Sequence, residues 1–234
     1  MPDIKIKSLE NKEFGAYCAT PTTDKSPGLI VIQEIFGVNA GMRKICDDFA
    51  AKGFTAICPD LFWRQEPGIQ LTDKTPAEWD HAMELYKGFD AEAGVRDLLS
   101  TLAYVRALPS ASGKVGAIGY CLGGKLAYLM ASRSDVEASV SYYGVELDKY
   151  LEEVHDIRSP LILHIAGLDQ YVPLPVREKI LKSVARNPVI TPYVYENADH
   201  AFARIGGQNY NAEAANLANQ RSNDLLSKYL RTNG

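Results

Sequence analysis

Short, continuously apolar runs alternate along this chain with longer stretches in which apolar residues recur at helical spacing. Gly28-Leu29-Ile30-Val31-Ile32 is apolar throughout and bounded by Pro27 and Glu34. Such a run predicts a strand buried on both faces, as in a parallel sheet. Further apolar strands are predicted at 54–58, 114–118, 137–142, 161–165 and 190–195. Between them, periodicity predicts helices at 40–52 (stopped by Gly53), 76–88, 90–107, 122–132, 147–154, 174–185 and about 210–230. Residues 3–8 and 13–19, joined by Glu10-Asn11-Lys12, predict two N-terminal strands that can form an antiparallel edge. Residues 60–75 hold Pro67, Gly68 and Asp73 and no clean period, which predicts a surface loop. Strands alternating with helices imply an α/β fold with a mainly parallel sheet and helices on both faces. No repeat, low-complexity tract or linker interrupts the pattern, so a single domain over 1–234 is expected.

Composition narrows the function classes. The chain has 234 residues, 46% of them hydrophobic, and a formal net charge of −4. That length allows one α/β domain with a large core. No Lys/Arg run points to nucleic acid. No apolar stretch approaches the ~20 residues needed to cross a bilayer, so no membrane partner is expected. The start, MPDIKIKSLENKEF, lacks a signal-peptide core, and a cytoplasmic protein is expected. Cys18, Cys46, Cys58 and Cys121 show no CxxC spacing, so neither a zinc site nor a thioredoxin-type motif is implied. Cys18, Cys46 and Cys58 read as small buried hydrophobes.

Cys121 reads differently. Gly119-Tyr120-Cys121-Leu122-Gly123-Gly124 has the pattern G-x-C-x-G between strand 114–118 and the helix that begins at 122. This is the strand–turn–helix context of a nucleophile elbow, with Cys in place of Ser. A turn that sharp strains the nucleophile's backbone, and glycines two residues before and after remove side chains that would clash. The helix N-terminus then favours the thiolate. Tight packing or a phosphate cradle is the plain alternative, but G-x-G-x-x-G and P-loop patterns are both absent.

A thiol nucleophile needs a base and a group that orients the base. Downstream lie His155, His164 and His200. His164 sits in the apolar strand 161–165 and reads as a core residue, while His155 sits in a polar segment. His200 follows a strand and the turn Glu196-Asn197-Ala198-Asp199, at a strand end where α/β catalytic residues gather. It is the candidate base. Asp169, in Ala166-Gly167-Leu168-Asp169-Gln170-Tyr171-Val172-Pro173, is the candidate acid; its plain alternative is a cap for helix 174–185. The order Cys, Asp, His is that of an α/β-hydrolase triad. The oxyanion hole would use the N–H of Leu122 and one from Gln33-Glu34-Ile35-Phe36-Gly37, either Ile35 or Phe36. Glu34 ends an apolar strand, where a carboxylate must be paired or shift its pKa. Arg204 is a candidate partner. The bland alternatives are a helix-start carboxylate and a solvated arginine.

These residues carry a resemblance. QEIFGVN (33–39), CPDLF (58–62), FDAEAGVRDL (89–98), GKVGAIGYCLGG (113–124), YYGVEL (142–147), GLDQYVP (167–173) and HAFAR (200–204) together resemble the dienelactone hydrolases, or carboxymethylenebutenolidases, over nearly the whole chain. The resemblance implies the α/β-hydrolase fold and a Cys121–His200–Asp169 triad, with Leu122 and Ile35 as oxyanion donors. It implies that Glu34 governs thiol ionisation, pairing at rest with Arg204 while a neutral Cys121 is turned inward. Substrate carboxylate would then take over Arg204 and free Glu34 to accept the thiol proton. Tyr143 falls on a tyrosine lining the family's site. No metal or organic cofactor is implied.

One departure changes the expected substrate. The family's best-known members carry a second carboxylate-binding arginine on the helix after CPDLF. Here that helix, Thr75-Pro76-Ala77-Glu78-Trp79-Asp80-His81-Ala82-Met83-Glu84-Leu85-Tyr86, has none, and Trp79 takes the aligned place. Losing a charge-assisted bidentate pair weakens carboxylate binding. Trp79, Tyr86, Phe36 and Trp63 can instead wall an apolar site; plain core packing is the alternative for each of them. The expectation is a monomeric enzyme that opens a small-molecule lactone or cleaves an activated ester through a thioester acyl-enzyme. The alternatives are a hydrolase of other esters or thioesters with a less charged acyl group, and a silent hydrolase fold that only binds.

Overall fold

A computed structural model describes residues 3–22 and 25–231. Two compact units divide the chain inside one strand: residues up to Gly116 belong to the first, and Ala117–Arg231 form the second.

In the first unit, β1 (Asp3–Lys7), β2 (Glu13–Ala19), β3 (Ser26–Ile32), β4 (Thr55–Pro59) and the start of β5 (Ala111–Tyr120) lie in the order β1-β2-β4-β3-β5. The N-terminal pair is antiparallel, with Asp3 opposite Tyr17 and Lys7 opposite Glu13, and β2 pairs antiparallel with β4. β3 and β4 are parallel. β4 is buried at every position and packs against both α1 (Ala40–Ala51) and α3 (Ala91–Arg106). A strand with no exposed position must be covered on both faces, which is why its sequence is apolar without alternation. The helix starts are written locally. Asn39 accepts from the Met42 N–H at 3.1 Å, and Asp90 accepts from Glu92 and Ala93 at 2.9 and 3.2 Å. Ahead of α2 (Pro76–Lys87), Thr75 accepts from the Glu78 N–H at 3.2 Å, with Pro76 at the first helical position. The aperiodic 60–75 stretch is a loop organised by Asp60, whose carboxylate accepts from Phe62 (3.1 Å) and Gly68 (2.7 Å).

In the second unit the end of β5 is followed in the sheet by β6 (Ala138–Tyr142), β7 (Leu161–Ala166) and β8 (Ile190–Tyr195), giving eight strands in all. β6, β7 and β8 are parallel and in register, with Tyr142, His164 and Tyr193 side by side. Their carboxyl ends therefore finish together. α4 (Leu122–Arg133) and α6 (Ala212–Leu230) both pack on fully buried β6, while α5 (Leu174–Val184) packs on β8.

Two expectations needed adjustment. β5 is ten residues rather than the five apolar ones, because only its second half is buried and hydrophobic patterning sees only that half. The helix expected at 147–154 is two 3₁₀ turns, Leu147–Lys149 and Leu151–Asp156. The Tyr150 carbonyl between them accepts from the Tyr128 hydroxyl (3.0 Å) and from the Glu153 N–H (3.0 Å), so no α-helical ladder passes through it. Among the described residues, no helix is long and apolar enough to cross a membrane.

Candidate active site

The second unit brings the carboxyl ends of β5, β7 and β8 to one place, and each delivers one predicted residue. Cys121 follows β5 directly, with φ 56° and ψ −114°. That is a left-handed backbone on a residue with a Cβ, which costs about 1–3 kcal/mol and persists only when the surroundings enforce it. The enforcement is visible. The Cys121 N–H donates to the Tyr142 carbonyl at 3.0 Å, and the Cys121 carbonyl accepts from the Lys125 N–H at 3.1 Å as α4 begins. A Cβ on Gly119 would lie 1.9 Å from the Gly123 carbonyl oxygen, so the bare Gly119 lets the turn close on itself. One on Gly124 would lie 2.6 Å from the Tyr142 oxygen, so α4 reaches the end of β6 only because that position is bare.

Asp169 lies three residues beyond β7 and is 4% exposed. It does not cap α5, whose N-cap is Pro173 without a side-chain bond. Its Oδ1 accepts from the Tyr171 N–H at 2.8 Å, and its Oδ2 accepts from Nδ1–H of His200 at 2.8 Å. His200 is 7% exposed. Asp199 beside it holds the His200 N–H with its Oδ1 at 2.6 Å, which fixes the backbone and leaves the ring to Asp169. Ala201 takes φ 64° and Tyr143 takes φ 37°. Strained non-glycine backbone thus sits at the elbow, beside the histidine and at the end of β6.

With Nδ1 committed to Asp169, the ring also interacts with Cys121, through charge and hydrogen bonding. Burial opposes a charge on this ring. Negative charge on Cys121, the hydrogen bonds with Asp169 and Cys121, and the Asp169 charge outweigh it and push His200 up to about 10. The arrangement is a buried imidazole, oriented by a carboxylate, next to the elbow cysteine. Tyr143, 2% exposed, sets its ring edge-on to His200 at 5.2 Å and against Phe202 at 5.4 Å. Arg204 follows the Ala201 turn, its N–H donating to the Ala201 carbonyl at 2.9 Å. Leu122 is the first residue of α4, where helix geometry leaves the N–H without an intrahelical partner.

Comparison with known proteins settles the family. The chain matches the dienelactone hydrolase family over residues 14–230, a span that crosses both units. It belongs to that family. A provisionally named carboxymethylenebutenolidase of Azospirillum brasilense is 48% identical over 234 residues, covering 98% of this chain and 100% of the relative. A carboxymethylenebutenolidase of Pseudomonas putida is 42% identical over 224 residues, covering 96% and 95%. Among solved structures, a provisionally named dienelactone hydrolase of Klebsiella pneumoniae superposes with a TM-score of 0.85 at 26% identity, covering 97% of this chain and 98% of that one. The fold is accordingly that of the α/β-hydrolases, and family membership makes the chain a hydrolase of ester or lactone bonds.

The remaining predicted residues lie in the first unit of this dienelactone hydrolase homologue. Glu34 and Ile35 follow β3 and are buried. Glu34 does not start α1, which Asn39 caps. Its neighbour Gln33 accepts from the Leu61 N–H at 3.1 Å and holds two loops together. Phe36 and Trp79 approach to 5.9 Å, while Tyr86 sits half-buried on α2. Trp63 goes elsewhere: it stacks on Phe14 at 5.8 Å and donates to Asp97 at 2.8 Å. Cys18, Cys46 and Cys58 are buried free thiols, and His164 is a core residue bonded to Ser222 and Tyr195 at 2.9 Å each. Sequence reasoning missed Tyr171, whose ring meets His200 edge-on at 4.8 Å. Its place two residues after the acid, where an Asp side chain commonly accepts a backbone N–H, was the available signal. Among the described residues, no group of three or more His, Cys, Asp or Glu is arranged to hold a metal ion.

Proposed function

We propose that this chain opens a lactone or cleaves an activated carboxylic ester through a Cys121–His200–Asp169 triad and a thioester acyl-enzyme. The observation that carries the reading is the 2.8 Å bond between Asp169 and Nδ1 of a buried His200 whose ring also interacts with Cys121 at the elbow. A buried histidine so placed can only exchange its proton with the sulfur or with what reacts at the sulfur.

The Cys121 thiolate attacks the carbonyl carbon, and the carbonyl π pair moves to oxygen. The Leu122 N–H at the start of α4 stabilises that oxyanion. As the tetrahedral species collapses, the C–O bond breaks and the imidazolium of His200 gives its proton to the departing oxygen. In a lactone that oxygen stays tethered; in an ester it leaves as an enol or alcohol. Neutral His200 then takes a proton from water, the hydroxide attacks the thioester, and the thiolate departs beside the re-formed imidazolium. Asp169 keeps the imidazole in the tautomer that both steps need. A thiolate is a weak base, so the acylation step favours substrates with good leaving groups such as enolates and phenolates.

The roles that resemblance gives Glu34, Ile35, Tyr143 and Arg204 are proposals carried by resemblance alone, and the apolar wall of Phe36, Trp79 and Tyr86 is a proposal from their residue types. α2 contains no arginine, which favours substrates with a less charged acyl group than a dienelactone. The test is turnover of a carboxylated enol-lactone and of phenyl acetate by wild type and Cys121→Ala, with intact-mass detection of the acylated protein. Wild type is expected to turn over at least one substrate and to show an adduct at Cys121; Cys121→Ala is expected to do neither. Undiminished turnover by Cys121→Ala refutes the mechanism.

A further inference from the structure

Two aromatic rings lean on the imidazole of His200, and they differ in one respect. Tyr143 is 2% exposed and walled in by Tyr120, Tyr142 and Phe202. Tyr171 meets the imidazole edge-on at 4.8 Å and 71° and is 43% exposed. In sequence it stands between Leu168, in the loop, and Leu174, the first residue of α5, which are 62% and 55% exposed. Tyr171 is the open aromatic shelf beside the imidazole.

The shelf is rigid. The Tyr171 N–H is fixed on Asp169 Oδ1 at 2.8 Å, the Leu168 N–H donates to the Ala198 carbonyl at 2.9 Å, and Arg177 donates to the Gly167 carbonyl at 2.7 Å. Burial and the charges of Cys121, Asp169 and Asp199 push the Tyr171 phenol up, against Arg204, so the ring stays neutral wherever the enzyme works. A rigid, neutral, half-open aromatic face can receive a planar apolar group with little loss of entropy.

The direction of proton transfer says which part of the substrate arrives there. His200 delivers its proton to the departing oxygen, so the leaving group must lie against the imidazole. We propose that Tyr171 is the leaving-group subsite and that it selects esters with planar aromatic leaving groups. This inference rests on the triad mechanism proposed above.

The test measures kcat/KM for wild type, Tyr171→Ala and Tyr171→Phe on two substrate pairs. Phenyl acetate and 2-naphthyl acetate share an acyl group and differ in the leaving aryl; phenyl acetate and phenyl butyrate differ only in the acyl chain. Wild type is expected to prefer the naphthyl ester. Tyr171→Ala is expected to cut that preference roughly two- to tenfold, the usual worth of an aromatic contact, and to leave the acyl preference unchanged. Tyr171→Phe keeps the ring and is expected to keep the preference. An equal loss on all three esters would mark Tyr171 as a support for Asp169 only and overturn the proposal, as would a shift confined to the acyl pair. Should wild type hydrolyse none of the three, the ester reading itself fails and this subsite falls with it.

Discussion

Adding one methyl group at Gly119 tests the elbow directly. An alanine Cβ there would lie 1.9 Å from the Gly123 carbonyl oxygen, 2.3 Å from its carbon and 3.0 Å from the Gly124 nitrogen. All three are backbone atoms of the first turn of α4, so no side-chain rotation relieves the contact. Ordinary contact begins at 3.4 Å, so 3.4 minus 1.9, or 1.5 Å, must come from moving α4 away from β5. Cys121 lies between the two contact points and moves with them. A misplacement of about 1 Å commonly costs ~100-fold in rate, so a loss of roughly 100-fold or more in kcat/KM on phenyl acetate is expected. Overpacking of this kind costs about 1–3 kcal/mol, at about 2–4 °C of melting temperature per kcal/mol for a chain of this size. The control is Gly15→Ala in β2, where no atom lies within 4 Å of the new methyl and activity is expected to hold. Far-ultraviolet circular dichroism and melting curves separate a displaced elbow from a lost fold. Activity within threefold of wild type, with an unchanged melting temperature, would refute the steric account of why glycine stands there.

Other perturbations read the triad and the core. Asp169→Asn takes away the carboxylate that orients the imidazole and is expected to lower kcat by roughly two to four orders of magnitude with the fold intact; steady-state kinetics and circular dichroism check both halves. His200, raised to about 10 in the free enzyme, should lose its proton above that pH and take the acid for leaving-group departure with it, so kcat/KM should fall on the alkaline side near pH 10. The same shift has a stability sign. A folded-state pKa above the unfolded 6.5 contributes stability that is fully present below pH 6.5 and is lost as pH rises through about 10, so His200→Gln should flatten urea-midpoint stability across that window. His164 carries the opposite sign. Burial, and then the Arg221 charge, press it down to about 3, so the unfolded chain binds the extra proton between pH 6.5 and 3. Stability should therefore fall with acid by up to about 1.4 kcal/mol per pH unit in that window, and His164→Gln should lose this dependence in urea titrations at pH 4.5 and 7.

The sequence made the second unit more legible than its patterning alone suggests. Apolar runs located β6, β7 and β8 within a residue or two; β6 and β7, covered on both faces, carry no alternation to be misread. The three residues proposed as the triad are picked out by chain order and by each lying just past a strand's carboxyl end, where a parallel sheet gathers them. Other features left no local trace. Tyr150, whose carbonyl is claimed by Tyr128 twenty-two residues earlier, breaks a helix that periodicity supports. β5 begins in exposed residues whose strand character comes from pairing rather than from composition. Tyr171 reads as an ordinary loop tyrosine until the Asp169 carboxylate is seen to hold its N–H and the imidazole to meet its ring.

The missed residue bears on the predicted ones. Asp169 spends one oxygen on His200 and the other on the backbone of Tyr171, both at 2.8 Å. One buried carboxylate therefore sets the histidine's tautomer and anchors the ring that we place beneath the leaving group. A substitution at Asp169 should consequently change selectivity among leaving groups as well as rate, whereas a substitution at Tyr171 that keeps its N–H can change selectivity alone. Asp169→Asn still offers an amide oxygen to one of the two N–H groups but not a carboxylate to both. If its residual activity kept the full preference for the naphthyl ester, the ring and the acid would be independent, and the coupling argued from the two 2.8 Å bonds would be wrong.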